Sequence, residues 1–110
     1  MSTVTPLTYS ILLALADEPR HGYGVIKEIE ARTGAGSAPS TGALYLALQR
    51  MEAEGLIAEA AEAAEEGGDS RRRYWALTDR GRDVATQESR RLQTLVATAR
   101  EKDLLAGDPA

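Results

Sequence analysis

The sequence contains no cysteine and no phenylalanine, a single histidine and a single tryptophan, and aromatics make up only 5% of its 110 residues. Without cysteine there is no disulfide, thiolate metal site or cysteine nucleophile, and a reducing compartment, the cytoplasm, is expected. One histidine with no cysteine near it supplies no metal-ligand set, which leaves His21 a capping or surface role ahead of a helix. Long apolar runs are also missing. The longest, Ile11 to Ala16, falls far short of the ~20 residues of a membrane span. The N-terminus lacks the basic start and cleavage site of a signal peptide, so a soluble protein is expected. Neither Gly22-Tyr23-Gly24 nor Gly34-Ala35-Gly36 is expected to follow a strand, as a nucleotide-binding loop requires. No Asp or Glu stands in an acid–base or nucleophile pattern, so neither enzymatic activity nor a cofactor is expected.

What remains is a chain that is 43% hydrophobic with a net charge of -4, enough for one compact domain with a core of Leu, Ile, Val and Ala. A core this small leaves outlying helical faces uncovered, and a homodimer is the expected remedy. Thr5-Pro6 opens a first helix as cap and first-turn proline, and Leu7, Ile11, Ala14 and Leu15 share its inner face before Asp17-Glu18-Pro19 stops it. The second helix lies in HGYGVIKEIEART, with Ile26, Ile29 and Thr33 on one side and Gly34 at its end. Ser40 or Thr41 caps a third helix with Leu44, Ala47, Leu48 and Met51 inward, ended by Gly55. A β-hairpin is expected next, Leu56 to Glu62 and Arg71 to Leu77, although Ala58 to Glu66 also has helix propensity and could be helical or disordered. Thr78 and Asp79 then start a long helix to about Lys102, with a frayed end after it.

Two short helices, a capped third helix and a glycine-tipped hairpin form a winged helix-turn-helix layout, which sets one helix in the major groove of DNA and the hairpin beside it. In this setting Arg71, Arg72 and Arg73 on the hairpin would meet phosphates, with Arg72 facing away from the other two. The bland alternative pairs them with Glu62, Glu65 and Glu66. The outward face of the third helix, with Gly42, Leu46, Gln49 and Ala53 flanked by Ala43, Tyr45 and Arg50, is short-chained and nearly uncharged, as suits a helix pressed into a groove. Tyr74 and Trp75 are expected to pack at the hairpin root rather than on bases.

Three stretches carry a resemblance, in this order and spacing: HGYGVIKEIEARTG, PSTGALYLALQRMEAEGLI and RRRYWALTDRGR. Over roughly Leu7 to Val84 the chain resembles the PadR family of bacterial transcriptional regulators. The resemblance implies a winged-helix DNA-binding domain, a dimer made mainly by the C-terminal helix, and repression of nearby genes. In several members it also implies release by a small hydrophobic effector. Where the family commonly has Ser-Pro-Gly-Thr-Leu-Tyr-Pro, this chain has Ser40, Thr41, Gly42, Ala43, Leu44, Tyr45 and Leu46, which bears on the operator sequence and not on the fold. The aromatic residue that stacks on drugs in some compact members has no counterpart on the last helix.

The expected architecture is therefore mainly α with a small β-hairpin. Residues 1–77 form a winged helix-turn-helix domain, 78–103 a dimerisation helix and 104–110 a flexible tail. Double-stranded operator DNA would be met by Tyr23, Lys27, Ser40, Thr41, Tyr45, Gln49 and Arg50 together with Arg71, Arg72 and Arg73. Leu92, Leu95, Val96 and Ala99, with Ala85 one heptad earlier, form the apolar stripe of the dimer. The rival reading is a winged-helix protein-interaction or ligand-sensing module that does not bind DNA.

Overall fold

The computed structural model describes residues 4–34, 36, 38–60 and 73–105. Its elements run α1 (Pro6–Ala14), β1 (Arg20–His21), α2 (Gly22–Thr33), α3 (Thr41–Ala53), β2 (Ile57–Glu59), β3 (Tyr74–Leu77) and α4 (Asp79–Glu101). No helix among the described residues is long and apolar enough to cross a membrane.

Local chemistry sets the helix ends. The side chains of Thr5, Ser40 and Thr78 accept amide hydrogen bonds at the starts of α1, α3 and α4, from Thr8, Ala43 and Gly81, each satisfying a donor that the helix itself leaves unpaired. At the far end of α3, Gly55 takes a left-handed φ of +79°, and Leu56 N–H reaches back to the Met51 carbonyl at 2.9 Å, closing the helix and turning the chain into β2.

The core is one cluster to which every helix contributes: Ile11 and Leu12 of α1, Val25 and Ile29 of α2, Leu44, Leu48 and Met51 of α3, and Ala85 of α4, with Ile57 and Trp75 from the sheet. The inner face of α3 is the one the spacing predicts. In α2 the outcome differs. Val25 and Ile29 are buried, while Ile26 only packs against the edge, because α2 is rotated so that its i, i+4 pair, not Ile26, meets α1 and α3.

The sheet has three strands where a two-stranded hairpin is expected. β1, a mere two residues, pairs antiparallel with β3 (Arg20 with Trp75, His21 with Tyr74), and β2 pairs with the other edge of β3 (Ile57 with Leu77, Glu59 with Trp75). Pro19 cannot donate to the ladder, so pairing begins at Arg20. β3 is thus central, which explains why Trp75 is buried at 2% exposure and belongs to the root of the wing. Among the described residues β2 and β3 span three and four residues, and the expected outer parts of the hairpin, with Arg71 and Arg72, lie outside the described residues.

α4 is anchored to this body by its N-terminal half. Its first turns are locked on by Thr78, which donates from Oγ1 to the Gly55 carbonyl at 2.6 Å and from N–H to the Leu56 carbonyl at 3.1 Å. Tyr9 and Ser89 join α1 to α4 through their hydroxyls at 2.6 Å. Beyond Ser89 the helix runs on, with Leu95 and Val96 exposed. Ala85, read from sequence as the first member of the dimer stripe, belongs instead to the domain's own core; the uncovered stripe starts at Leu92.

Candidate nucleic-acid interface

The N-terminus of α2, the outer face of α3 and the root of the wing lie side by side because β1 leads directly into α2 and pairs with β3. Gly22 is buried at the first position of α2. A Cβ there would sit 2.4 Å from the Tyr45 hydroxyl oxygen and 2.7 Å from its ring carbon Cζ, so the Tyr45 ring of α3 lies directly on the α2 backbone. Only glycine leaves room for it. Both tyrosines nevertheless face outward, Tyr23 at 57% exposure and Tyr45 at 43%.

Lys27 stands one turn after Tyr23, its Nζ 5.3 Å from the Tyr23 ring centroid and 3.7 Å from Glu30. Its interaction with Tyr23, hydrogen bonding first, followed by the charge of Glu30, pushes its ammonium above the ordinary lysine range, reinforcing the cationic form that any lysine has at neutral pH. On α3, Thr41, Gly42, Ala43, Tyr45, Leu46 and Gln49 are all exposed, with Leu46 at 69%. From Thr41 to Gln49 that helix carries no charge at all. Ser40 spends its oxygen lone pair on the Ala43 amide at 3.1 Å, while its hydroxyl hydrogen can still be donated.

Arg50 sits on the flank of this group. Its guanidinium donates to Thr8 Oγ1 at 2.8 Å, and Thr8, buried at 4%, in turn accepts a hydrogen bond from the Thr5 hydroxyl at 3.0 Å. Arg50 therefore braces α3 against α1. Nothing in the sequence flagged Thr8, because its partner is 42 residues away.

At the wing root, Arg73 is paired with Glu59 across β2 and β3 at 2.5 Å, with its guanidinium 4.9 Å from the Trp75 ring centroid. The hydrogen bond and charge of Glu59 push Arg73 further above its ordinary range. The cross-strand partner is thus Glu59; Glu62, Glu65 and Glu66 lie outside the described residues. His21 is the cap of α2, as one of its two expected roles had it, with Nδ1 accepting the Gly24 amide hydrogen at 3.0 Å. No group of His, Asp or Glu among the described residues could hold a metal ion.

The stripe on α4 is separate from this surface. Leu95 is 51% and Val96 39% exposed, with Leu92 and Ala99 half-buried beside them. Two shallow clefts flank the exposed Leu13 of α1. One, of about 490 Å³, lies against α2 with Ile29, Glu28 and Arg32; the other, of about 440 Å³, lies against α4 with Leu77, Ala85 and Arg90.

The model of the transcriptional regulator PadR-like family matches residues 11–87, a span that takes in the end of α1, all of α2 and α3, the sheet and the first turns of α4. This chain belongs to the PadR-like family. The PadR-like fold recurs in a PadR family transcription regulator of Clostridium difficile (TM-score 0.75, 26% identity, 88% of this chain and 97% of that one). It recurs again in a PadR-like transcriptional regulator of Bacillus cereus (TM-score 0.73, 25% identity, 91% of each chain). Bacillus subtilis PadR, solved with operator DNA, shares the fold at TM-score 0.64 and 22% identity, over 76% of this chain and 46% of that one. A protein in a Streptomyces fradiae transposon is 39% identical over 85 residues, and this PadR-like chain spans only 22% of its length. The family is one of transcriptional regulators, not of enzymes.

Proposed function

We propose that this PadR-like chain binds double-stranded operator DNA as a homodimer and represses the genes beside it. The observation that carries the reading is the uncharged, solvent-exposed ridge of α3, with Leu46 at 69% exposure in line with Gln49, set between Tyr23 and Lys27 of α2 and the wing. A helix face meant only for water would carry Glu and Lys. In a major groove, Leu46 would meet a thymine methyl and Gln49 an adenine edge, while Ser40, Thr41, Tyr23, Tyr45 and Lys27 reach phosphates. Arg50, already anchored on Thr8, would contribute its remaining N–H groups at the flank, and Arg71, Arg72 and Arg73 would follow the backbone along the wing. Operator binding by Bacillus subtilis PadR supports the same use of this fold.

A two-fold dimer through Leu92, Leu95, Val96 and Ala99 would present two copies of α3 to half-sites about one turn, ~34–36 Å, apart. Release by a small hydrophobic effector belongs to the same reading, and the apolar cleft between α1 and α2 beside Leu13 supports a place for it. The net charge of -4 disfavours indiscriminate coating of DNA and leaves affinity to a few placed contacts.

The deciding experiment is to sequence DNA retained by the purified protein from a random pool, then titrate binding against salt. Saturable, salt-sensitive binding to a partly palindromic site is expected. Weak binding indifferent to sequence would favour the interaction module without DNA binding. Gln49→Ala is expected to lose about 1–3 kcal/mol of discrimination at one base pair with little change on random duplex; equal binding to every operator variant would remove Gln49 from base reading. Gly22→Ala separates fold from grip. The added methyl displaces the Tyr45 ring, an exposed side-chain end that can swing away, so the melting temperature should hold while affinity for all duplexes drops about tenfold through one lost phosphate contact. Wild-type affinity in that variant would show that Tyr45 does not touch the backbone.

A further inference from the structure

We infer that His21 is the positioning residue that couples the wing to α2, so that both grip one duplex in a fixed relative orientation; the inference rests on the DNA-binding reading above. His21 belongs to two elements at once. Its backbone pairs with Tyr74 in the sheet, and its side chain caps α2 through Nδ1. The cap alone would not call for an imidazole, since Ser, Thr, Asn or Asp satisfies such an amide at least as well. What the ring adds is contact in two directions. It lies parallel to the Tyr23 ring, with centroids 6.3 Å apart and planes 10° from coplanar, and meets the Tyr74 ring edge-on at 5.2 Å and 84°. Tyr23 is on the helix side of the DNA-facing surface and Tyr74 at the wing root, so one ring touches both.

The leverage matters because β1 is only two residues long. Two ladder pairs hold the β1–β3 edge loosely, and the angle of the wing to α2 would vary without a side-chain wedge at the joint. The accepting Nδ1 further fixes the ring, since in the neutral imidazole that atom carries no proton and cannot turn away without uncapping α2. Cap and wedge therefore enforce each other. His21 needs no contact of its own with DNA to act this way.

The test splits the two jobs. His21→Asn keeps an acceptor for the Gly24 amide and removes the ring, His21→Ala removes both, and Tyr74→Leu removes the wing-side ring contact with the cap intact. Each is measured for thermal unfolding and for affinity toward a duplex that the wild-type protein selects from random sequence, alone and combined with Arg73→Ala. We expect His21→Asn and Tyr74→Leu to melt close to wild type, and His21→Ala lower. All three should bind about tenfold more weakly or worse, and Arg73→Ala should add little in the His21→Asn background because the wing is already misaligned. Wild-type affinity in His21→Asn or in Tyr74→Leu overturns the inference and leaves His21 a cap. Full additivity with Arg73→Ala overturns it too, since His21 would then act on α2 alone. A wild-type protein that selects no duplex overturns the DNA-binding reading itself, an outcome visible before any variant is made.

Discussion

If the proposed dimer forms through α4, Leu95→Glu together with Val96→Glu is expected to yield folded monomers and to lower operator affinity by about 10²–10⁴, the avidity of a second half-site. Both side chains are exposed on α4 beyond the point where the helix leaves its own core at Ala85 and Ser89. Their replacement removes nothing the single domain relies on, so the helical signal and melting transition should persist. In a two-fold pairing each chain contributes the same residues, and burying each apolar side chain favours association by about 1.5–3 kcal/mol. Four buried carboxylates without partners would reverse that gain. Solution mass, circular dichroism and operator titration on the same sample check the three parts. A variant that remains dimeric and binds its operator would place the assembly on another surface.

Gly81→Ala is expected to be the most damaging single methyl addition among the described glycines. A Cβ at Gly81 would lie 2.0 Å from the Leu56 carbonyl oxygen and 3.3 Å from Leu77 Cδ2. That oxygen is backbone and already accepts the Thr78 amide hydrogen at 3.1 Å, so unlike the Tyr45 ring above Gly22 it cannot swing aside. The start of α4 must instead lift off the backbone at Leu56. Overpacking of this kind costs about 1–3 kcal/mol and occasionally more, and the better helix propensity of alanine returns at most ~1 kcal/mol. With a rigid backbone obstacle the cost should sit at the top of that range, leaving a net loss of about 2–3 kcal/mol, a fall of roughly 10 °C or more in melting temperature for a domain of this size. Because the same joint aims α4, the surviving folded fraction should also dimerise less tightly. A melting point within a few degrees of wild type would show that α4 does not rest on Leu56 as described.

Sequence alone determined the features whose causes lie within a few residues. Thr5 and Thr78 cap because a short hydroxyl side chain meets an amide three positions on; for α3 the sequence left Ser40 or Thr41, and Ser40 is the cap, while the inner face of α3 follows from its spacing. The PadR-like identity was equally legible, since it resides in three ordered stretches of residues and matches across residues 11–87. Tertiary structure decided what depends on distant partners. β1 has two residues and therefore no period to read; it exists because β3 offers it an edge. Val25 displaced Ile26 from the core through the rotation of α2 against α1 and α3. Arg50 found Thr8 across 42 positions, and Gly22 matters only because Tyr45 lies on it. Ala85 has the heptad spacing of the apolar stripe on α4, yet it is buried in its own domain, because a period specifies which residues share a face and only packing specifies what that face meets.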